Sequence, residues 1–186
     1  RFSREHPDLD LKVSTSKLMA DFSRDAVDME IRYGRGVYAG LHSELVLPVE
    51  VFAVCSPALQ QGPHPIHEFA DLRHHVLLHD DSTYDDVSNP NWGTWLAHMG
   101  VHDLDAARGP SFWPSHLVID AAIDGQGVAL VKKSWVSQDL ASGKLVRLFP
   151  EHSLPIEFAY YLVFPRNRLE DPRIAAFVDW MREELA

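Results

Sequence analysis

The sequence is poor in three features, and each scarcity excludes a class of protein. Its 186 residues hold one cysteine, Cys55, which excludes an internal disulfide framework and favours a reducing compartment such as the cytoplasm. No apolar run approaches the roughly 18 residues that a membrane-spanning helix needs. Lys and Arg number 17 against 27 Asp and Glu, and the net charge of −10 argues against a nucleic-acid-binding surface over the whole chain.

The first residues contain neither an initiator methionine nor the apolar core of a secretion signal. We therefore expect the sequence to be a piece of a longer protein. Hydrophobic residues make up 46% and charged residues 24% of the chain, which is ordinary for a globular domain and excludes a disordered or fibrous one. At this length we expect one domain or two small lobes.

Hydrophobic periodicity predicts strands that alternate with helices. Strands are predicted over residues 9–13, 28–33, 41–47, 50–56, 75–79, 127–131, 144–149 and 156–164. Helices are predicted over residues 1–7, 14–22, 92–99, 115–125, 134–141 and 171–185. Such alternation is typical of βαβ units, so we expect an α/β fold with a mainly parallel sheet. Two prolines and a glycine make residues 60–68 the clearest connector.

Motifs for catalysis and cofactor binding are incomplete. Gly34-x-Gly36-x-x-x-Gly40 approaches a dinucleotide fingerprint, but its third glycine comes one residue late and a strand-like run follows. No G-x-S-x-G elbow and no phosphate-binding loop occur. Cys55 lies in an apolar run, where a thiol is usually inert. We therefore predict a protein that is not an enzyme and needs no cofactor.

Eleven histidines leave a metal site, and with it a metallohydrolase, as a less favoured alternative. His75 and His79 share a predicted strand face, and His98 and His102 are four residues apart. Gly100 interrupts any helix between the second pair, and no established metal-binding motif accompanies them. Ordinary surface and core histidines are the favoured interpretation, so we predict no metal site.

Hydroxyl side chains occupy two predicted junctions between a strand and a helix. Ser14-Thr15-Ser16 and Ser115 each stand at a predicted helix start, where unpaired N–H groups and the helix dipole attract carboxylates and phosphates. Ordinary N-capping explains each junction equally well. In open α/β sheets ligands bind beyond the carboxyl ends of strands, so the two junctions predict an anion site if both face one cleft.

Short motifs follow one another along the chain in a spacing that is specific as a set. They are Phe2-x-x-x-His6-Pro-Asp-Leu-Asp-Leu-x-Val-Ser-Thr, Asp25-x-x-Asp28-x-x-Ile31-Arg-Tyr-Gly-x-Gly, Val54-Cys-Ser-Pro57, Leu78-His-Asp-Asp81, Trp95-Leu, Ser115 through Gly125-x-Gly127-Val-Ala-Leu, and Asp179-Trp180. Together they resemble the effector-binding domain of LysR-type transcriptional regulators. Within that family they are similar to the subgroup of the glycine-cleavage activator and the β-lactamase-gene regulator.

The resemblance implies a two-lobed α/β fold of the type 2 periplasmic-binding-protein kind. Two crossover strands would form the hinge, with a ligand cleft between the lobes. Residues 1–57 and 160–186 would form lobe I, and residues 58–159 lobe II. The family's DNA-binding winged helix-turn-helix, linker helix and first strand are absent from this sequence, so DNA would be bound only through that missing N-terminal domain. We expect a homodimer from this domain and a homotetramer at full length.

The resemblance also implies a function: the domain binds a small anionic or zwitterionic metabolite and thereby controls transcription. The residues that it places at the effector site are Ser14, Thr15, Ser16, Arg32, Tyr33, Gly34, Ser56, Ser115 and Tyr160. Arg32 is the candidate bidentate partner of an anion, and the acidic loop over residues 80–92 is expected to border the cleft. A transport-type solute-binding protein is the alternative, although the unpaired cysteine and the lack of a secretion signal count against it.

Overall fold

The computed structural model forms two compact units and describes residues 1–16, 18–81 and 90–185. The first unit comprises Arg1–Pro48 and Glu157–Ala186, and the second comprises Val49–Ile156. The chain therefore passes between the units twice, at 48/49 and at 156/157. Most of the predicted acidic loop, residues 82–89, lies outside the described residues.

The described elements follow in chain order. The α-helices are α1 (Phe2–Glu5), α2 (Pro57–Gln60), α3 (Trp92–His98), α4 (His116–Ile123), α5 (Lys133–Ala141) and α6 (Pro172–Leu185), and Phe69–His74 and Arg166–Arg168 form 3-10 helices. The strands are β1 (Glu30–Gly34), β2 (Leu41–Leu47), β3 (Glu50–Cys55), β4 (Leu77–Asp80), β5 (Ser111–Phe112), β6 (Val128–Lys132), β7 (Val146–Arg147), β8 (Leu154–Pro155) and β9 (Ala159–Pro165). No described helix has the length and apolarity needed to cross a membrane.

The first unit is a three-stranded antiparallel sheet, in the order β1-β9-β2, with α6 packed against it. The start of α6 is confirmed as predicted: Asp171 accepts a hydrogen bond from the Arg173 N–H at 3.0 Å, and Pro172 is the first helical residue. Ile174 and Val178 are four residues apart and both buried. The helix is therefore held by its cap and by one apolar stripe.

An ion pair joins α6 to strand β2 of the same unit. Arg182 donates from Nε and Nη2 to the two carboxylate oxygens of Glu44, at 2.6 and 2.7 Å. These hydrogen bonds from Arg182 hold the pKa of the Glu44 carboxyl below its usual range. The helix thus contacts the sheet in two ways, through its apolar stripe and through the bidentate Arg182–Glu44 ion pair.

The second unit is a mixed sheet, in the order β5-β4-β6-β3-β7, with β8 also paired to β3. Strands β4, β5 and β6 are parallel, whereas β3 runs antiparallel to its neighbours β6, β7 and β8. Two buried clusters flank this sheet. Trp92, Trp95 and Leu96 of α3 lie in one of them, and Val118, Ala121 and Ala122 of α4 lie in the other.

The prediction of a mainly parallel sheet is wrong, although the α/β class is correct. The sheet of the first unit is wholly antiparallel, and only three strands of the second unit run parallel. Strand β9 enters the first unit from the second and runs opposite to β1 and β2. Strand direction therefore follows from the route of the chain between units, which local periodicity does not record.

The strand predicted over residues 9–13 and the helix predicted over 14–22 are also wrong. The described part of this segment contains neither element, and Val13 and Leu18 are 79% and 82% exposed. Side chains compete with helix formation here, because Asp21 accepts hydrogen bonds from both the N–H and the hydroxyl of Ser23. A short helix whose apolar side chains are not buried is marginal in water.

Strand β3 belongs to the second unit in the structure. The sequence places residues 50–55 in lobe I, whereas the structure pairs this strand with β6, β7 and β8. Its residues Val51 to Cys55 are all buried in that unit. The identification of these units with the lobes of a regulator stays a prediction.

Candidate functional site

A cavity of about 210 Å³ lies in the second unit at the carboxyl ends of the parallel strands β4 and β6. Its apolar wall includes Leu78, Leu130 and Trp92. Its polar lining residues are His79, Asp80, Asp81, Asn91, Ser111 and Lys132. Cavities with an apolar wall and a few polar groups are typical small-molecule sites, and this edge of an α/β sheet is their usual place.

The sequence of the two strands explains why charges collect at this edge. Each strand starts with buried apolar residues and ends with ionisable ones: Leu77 and Leu78 precede Asp80, and Val128 to Val131 precede Lys132. Leu77 and Leu78 of β4 pair in parallel with Val128 and Ala129 of β6. Asp80, Asp81 and Lys132 follow these pairs along the chain, and all three line the cavity. A cation and two carboxylates therefore meet at one edge of the sheet.

Lys132 is the most notable side chain of the cavity because it is a buried cation. It is 5% exposed, and its ammonium nitrogen lies 5.0 Å from the centre of the Trp135 ring. Contact with the face of an indole stabilises a cation. Its neighbour Lys133 differs, since its side chain is 63% exposed and pairs with Glu50 at 3.3 Å. Burying an ammonium group is costly, and such groups often mark binding sites.

Two helices begin directly after the strands that end at this edge. Helix α5 starts at Lys133, immediately after β6, and α4 starts at His116, shortly after β5. Their first turns carry partial positive charge, which adds to the charge of Lys132. Ser115 precedes α4 as predicted, but its side chain makes no hydrogen bond that caps the helix. The N-capping interpretation of the Ser115 hydroxyl is therefore wrong.

The cavity and Ser56 lie at opposite ends of the strands of the sheet. Strand β3 pairs Val51 with Lys132 and runs away from it, which puts Ser56 about 17 Å along the sheet. The Ser56 hydroxyl accepts a hydrogen bond from the Leu59 N–H at 3.2 Å and caps α2. Ser56 is 5% exposed. In the structure its hydroxyl serves a helix start and does not line the cavity.

Replacing Ser56 with alanine is expected to lower stability and leave ligand binding at the cavity unchanged. Loss of an N-cap costs about 1 kcal/mol of unfolding free energy. Chemical denaturation measures the first effect, and calorimetry on any ligand found for the cavity measures the second. If the Ser56→Ala variant keeps its stability and loses ligand affinity, the result would indicate that Ser56 contributes to ligand binding.

The first unit brings together only some of the residues predicted there. Tyr33 and Tyr160 are cross-strand partners on β1 and β9, with ring centres 5.1 Å apart. Gly34 ends β1 and packs against the Tyr38 hydroxyl. Arg32 points to the opposite face from Tyr33, since neighbouring residues of a strand alternate in direction.

Arg32 is buried inside the first unit. It donates to the Glu30 carboxylate at 2.7 Å and to the Ala20 carbonyl at 3.0 Å, and its guanidinium lies 4.9 Å from the centre of the Tyr38 ring. Glu30 in turn accepts a hydrogen bond from the Ala20 N–H at 3.1 Å. These contacts hold the irregular segment around Ala20 against strand β1, which gives Arg32 a structural role.

The three consecutive hydroxyl residues of the N-terminal segment, Ser14, Thr15 and Ser16, are all exposed. The described residues of this segment do not form the helix that was predicted to start there. The Ser16 hydroxyl accepts a hydrogen bond from the Leu18 N–H at 3.0 Å, which forms a local turn. A contact between these residues and an effector therefore stays a prediction.

Nucleophilic chemistry at Cys55 is disfavoured by its surroundings. The thiol is fully buried in the strand β3, and this burial raises its pKa to about 11. It is therefore protonated at neutral pH, and a protonated thiol is a poor nucleophile. Within the described ranges, no group of three or more His, Cys, Asp or Glu side chains is arranged to hold a metal ion.

Lys132 and Trp135 are not among the site residues predicted from the sequence. A signal was present, because the apolar run Val128 to Val131 ends abruptly in two lysines and a tryptophan. The first lysine still belongs to the buried strand, whereas the second begins the helix. Which of the two is buried depends on where the strand ends, and only the structure gives that residue.

Comparison with known proteins gives consistent matches over the whole chain. The family model of the LysR substrate binding domain matches residues 1–186. The glycine cleavage system transcriptional activator of Escherichia coli K12 is 35% identical over 100% of this chain, and the regulator DsdC of the same organism is 31% identical over 99%. The chain spans 58% and 59% of the lengths of these two relatives.

Solved structures agree with the sequence matches. The effector-binding domain of AmpR from Citrobacter freundii superimposes with a TM-score of 0.75 at 25% identity, covering 99% of this chain and 87% of that one. The AmpR effector domain of Pseudomonas aeruginosa gives 0.71 at 27% identity, covering 99% and 84%. These neighbours have the type 2 periplasmic-binding-protein-like fold, so the predicted fold class is confirmed. The chain belongs to the LysR substrate-binding domain family.

Proposed function

We propose that this chain is the sensory domain of a bacterial transcription regulator and binds a small anionic or zwitterionic metabolite. The observation that carries the proposal is the cavity at the carboxyl ends of β4 and β6, which contains the buried cation Lys132. The match to the LysR substrate binding domain supports it. Transcription control is the role of two relatives, a glycine cleavage system transcriptional activator and the transcriptional regulator DsdC.

The chemistry of the cavity suits capture of a carboxylate or similar anion. Lys132 supplies a full positive charge in a place from which water is largely excluded, and the first turn of α5 adds partial charge beside it. An ionic hydrogen bond in such a place is worth about 1.5–3 kcal/mol. We propose that the Ser115 hydroxyl, which precedes α4 at the same edge, adds a further polar contact.

Binding changes a regulator only if the ligand prefers one arrangement of the protein. Each tenfold preference is worth about 1.4 kcal/mol of bias toward that arrangement. The change would be relayed to DNA through a domain outside this sequence, because the chain spans 58% of its glycine-cleavage relative. The further proposals are a homodimer of this domain, a homotetramer at full length, a cytoplasmic location and no enzymatic activity. The curated relatives favour this function over a transport-type solute-binding protein.

The test compares two adjacent lysines. Thermal-shift screening of the domain against amino acids, purines, small dicarboxylates and cell-wall fragments finds a binder, and calorimetry then measures its affinity. We expect Lys132→Met to weaken binding about 10- to 100-fold, the worth of one ionic hydrogen bond. Lys133→Met removes the same charge one residue away and is expected to leave the affinity within a factor of two.

Folding of the lysine variants is checked by their own melting curves. Exchanging a buried lysine for an apolar residue of similar length is expected to preserve or raise the melting temperature. A stable Lys132→Met variant with undiminished affinity would contradict the assignment of this cavity. A domain that melts cooperatively and binds none of the panel would contradict the sensory function for these ligand classes.

A further inference from the structure

We propose that the carboxylate of Glu50 is an ionic clamp that holds both crossings of the chain to the second unit. The clamp consists of Glu50 and the side chains of Lys133, Arg147 and Ser153 that contact it. Its effect is to confine bending of the chain to the two points where it passes between the units, at 48/49 and 156/157. The inference concerns these crossings and does not depend on the ligand of the cavity.

The two crossing segments are paired with each other inside the second unit. Strand β3 runs antiparallel to β8, and Glu50 lies opposite Pro155. One residue nearer to the crossings, the Ile156 N–H donates to the Val49 carbonyl at 3.2 Å. The chain therefore enters and leaves the second unit as a two-stranded ribbon, and Glu50 is the first residue of β3 on that ribbon.

Side chains from several elements of the second unit contact Glu50. Its carboxylate lies 3.3 Å from the ammonium nitrogen of Lys133, the first residue of α5, and 3.9 Å from Nη1 of Arg147 in β7. The Ser153 side chain, just before β8, hydrogen-bonds the same carboxylate. Arg147 is itself positioned by β3, because its guanidinium lies 4.3 Å from the centre of the Phe52 ring. One carboxylate thus ties the start of β3 to α5, to β7 and to the segment that leads into β8.

Partial burial and the number of partners distinguish this network from an isolated surface pair. The side chains of Glu50 and Arg147 are 26% and 27% exposed. Burial alone would raise the pKa of the Glu50 carboxyl, but hydrogen bonds from Ser153 and Lys133 and the nearby cationic charges hold it below its usual value. The carboxylate is therefore ionised at neutral pH. Single exposed ion pairs contribute little to stability, whereas networks of several charges contribute measurably.

A change in the arrangement of the two units has to act through the crossings, because the chain passes between the units only there. Hinges are usually a few residues at the ends of elements, and the end of a two-stranded ribbon opens more easily than its middle. A clamp at Glu50 keeps the contact between Val49 and Ile156 closed. It thereby decides which residues bend when a regulator of this kind changes its arrangement.

Amide hydrogen exchange of Ile156, measured by NMR on the 186-residue chain, tests the clamp. Glu50→Gln preserves the shape of the side chain and removes its charge. We expect this variant to speed exchange of the Ile156 amide about fivefold, because the ribbon opens more often without the ion network. The Leu148 amide donates to the Ala53 carbonyl at 2.9 Å, further along β3, and is expected to change less than twofold.

Glu157→Gln is the matched control for the loss of charge. Glu157 adjoins Ile156 in sequence, but it pairs with Arg35 of the first unit at 3.0 Å. The substitution therefore removes the same charge beside the same amide without touching the clamp. After correction for the intrinsic exchange rate of each sequence, we expect the Ile156 amide to change less than twofold in this variant.

A double-mutant cycle shows whether Glu50 acts through its cation. Lys133→Met is expected to speed Ile156 exchange about threefold in the unmodified chain and less than twofold when Glu50→Gln is already present. Unchanged Ile156 exchange in Glu50→Gln, an equal acceleration in Glu157→Gln or at Leu148, or independent effects of the two clamp substitutions would each overturn the inference. Each of these results would leave the proposed function standing, since that function is tested by ligand affinity at Lys132.

Discussion

Replacing Gly109 with alanine is expected to destabilise the second unit by at least about 3 kcal/mol. The φ of Gly109 is +140°, a backbone conformation that only glycine adopts readily, and an added Cβ would overlap the carbonyl oxygen of Leu77. The flanking chain is tied to β4, since the His79 N–H donates to the Pro110 carbonyl at 3.0 Å. An alanine would push this connection away from the strand that leads into the cavity.

The melting temperature measures this effect. At this chain length each kcal/mol shifts the midpoint by about 2–4 °C, so we expect a fall of roughly 6–12 °C. Gly100→Ala is the matched control, because Gly100 has a φ of +75° and open space around the position of an added Cβ. It is expected to cost about 1 kcal/mol, the penalty of a left-handed conformation alone. Equal losses in both variants would show that contact with Leu77 is unimportant.

Replacing Arg32 with methionine is expected to destabilise the first unit by about 3 kcal/mol, as breaking a buried ion pair does. The Arg32 side chain is 7% exposed, and its removal leaves the Glu30 carboxylate, 22% exposed, without its guanidinium partner. It also releases the Ala20 carbonyl and the Phe22 ring, so the segment before β1 loses two contacts with Arg32. Denaturant unfolding, followed by circular dichroism, measures the loss.

An exposed pair in the same unit gives the control. Arg35 pairs with Glu157 at 3.0 Å, and both side chains are about two-thirds exposed, so Arg35→Met is expected to cost less than about 1 kcal/mol. The resemblance assigns Arg32 to an effector instead. If that role is the main one, Arg32→Met will keep its stability and lose ligand affinity, an outcome that would contradict the structural role.

Elements whose determining residues lie close together in the sequence are predicted correctly. Helix α6 is predictable because its cap, its first-turn proline and its apolar stripe are all local features, and the structure has each of them. Helix α3 ends just before Gly100 as predicted, and β2 matches its predicted range over residues 41–47. In these cases the residues that decide the structure lie within one or two turns of each other.

Elements whose stability depends on a distant partner are predicted less well. Residues 9–13 have the alternating pattern of a strand, but no described strand pairs with them, and a strand needs a neighbour for its backbone hydrogen bonds. Strand β3 is predicted correctly as a strand, but the sequence does not predict which strands pair with it. Its partners in β6, β7 and β8 lie between 75 residues (Val54 and Ala129) and 105 residues (Glu50 and Pro155) away in sequence, and pairing over such distances leaves no local signal.

The features of the candidate site also differ in whether the sequence predicts them. The sequence predicts a helix start at Ser115, and α4 begins at the next residue. A cavity lies at the carboxyl ends of β4 and β6, and its role as an anion site stays a proposal. The sequence does not predict that Lys132 is the buried lysine or that Ser56 caps α2 at the far edge. Those assignments depend on strand register, because a shift of one residue reverses which side chain faces the core.

By itself, then, the sequence determined the α/β class, the family and most helices, because caps, glycines, apolar stripes and motif order are written locally along the chain. Tertiary structure alone decided which charges meet. Lys132 and Asp81 are far apart in sequence, and they line one cavity because β6 pairs in parallel with β4. Arg32, which the resemblance assigns to an effector, contacts Glu30 and the backbone of Ala20 in the structure. The partner of a charged side chain is set by long-range packing, and a linear pattern does not contain it.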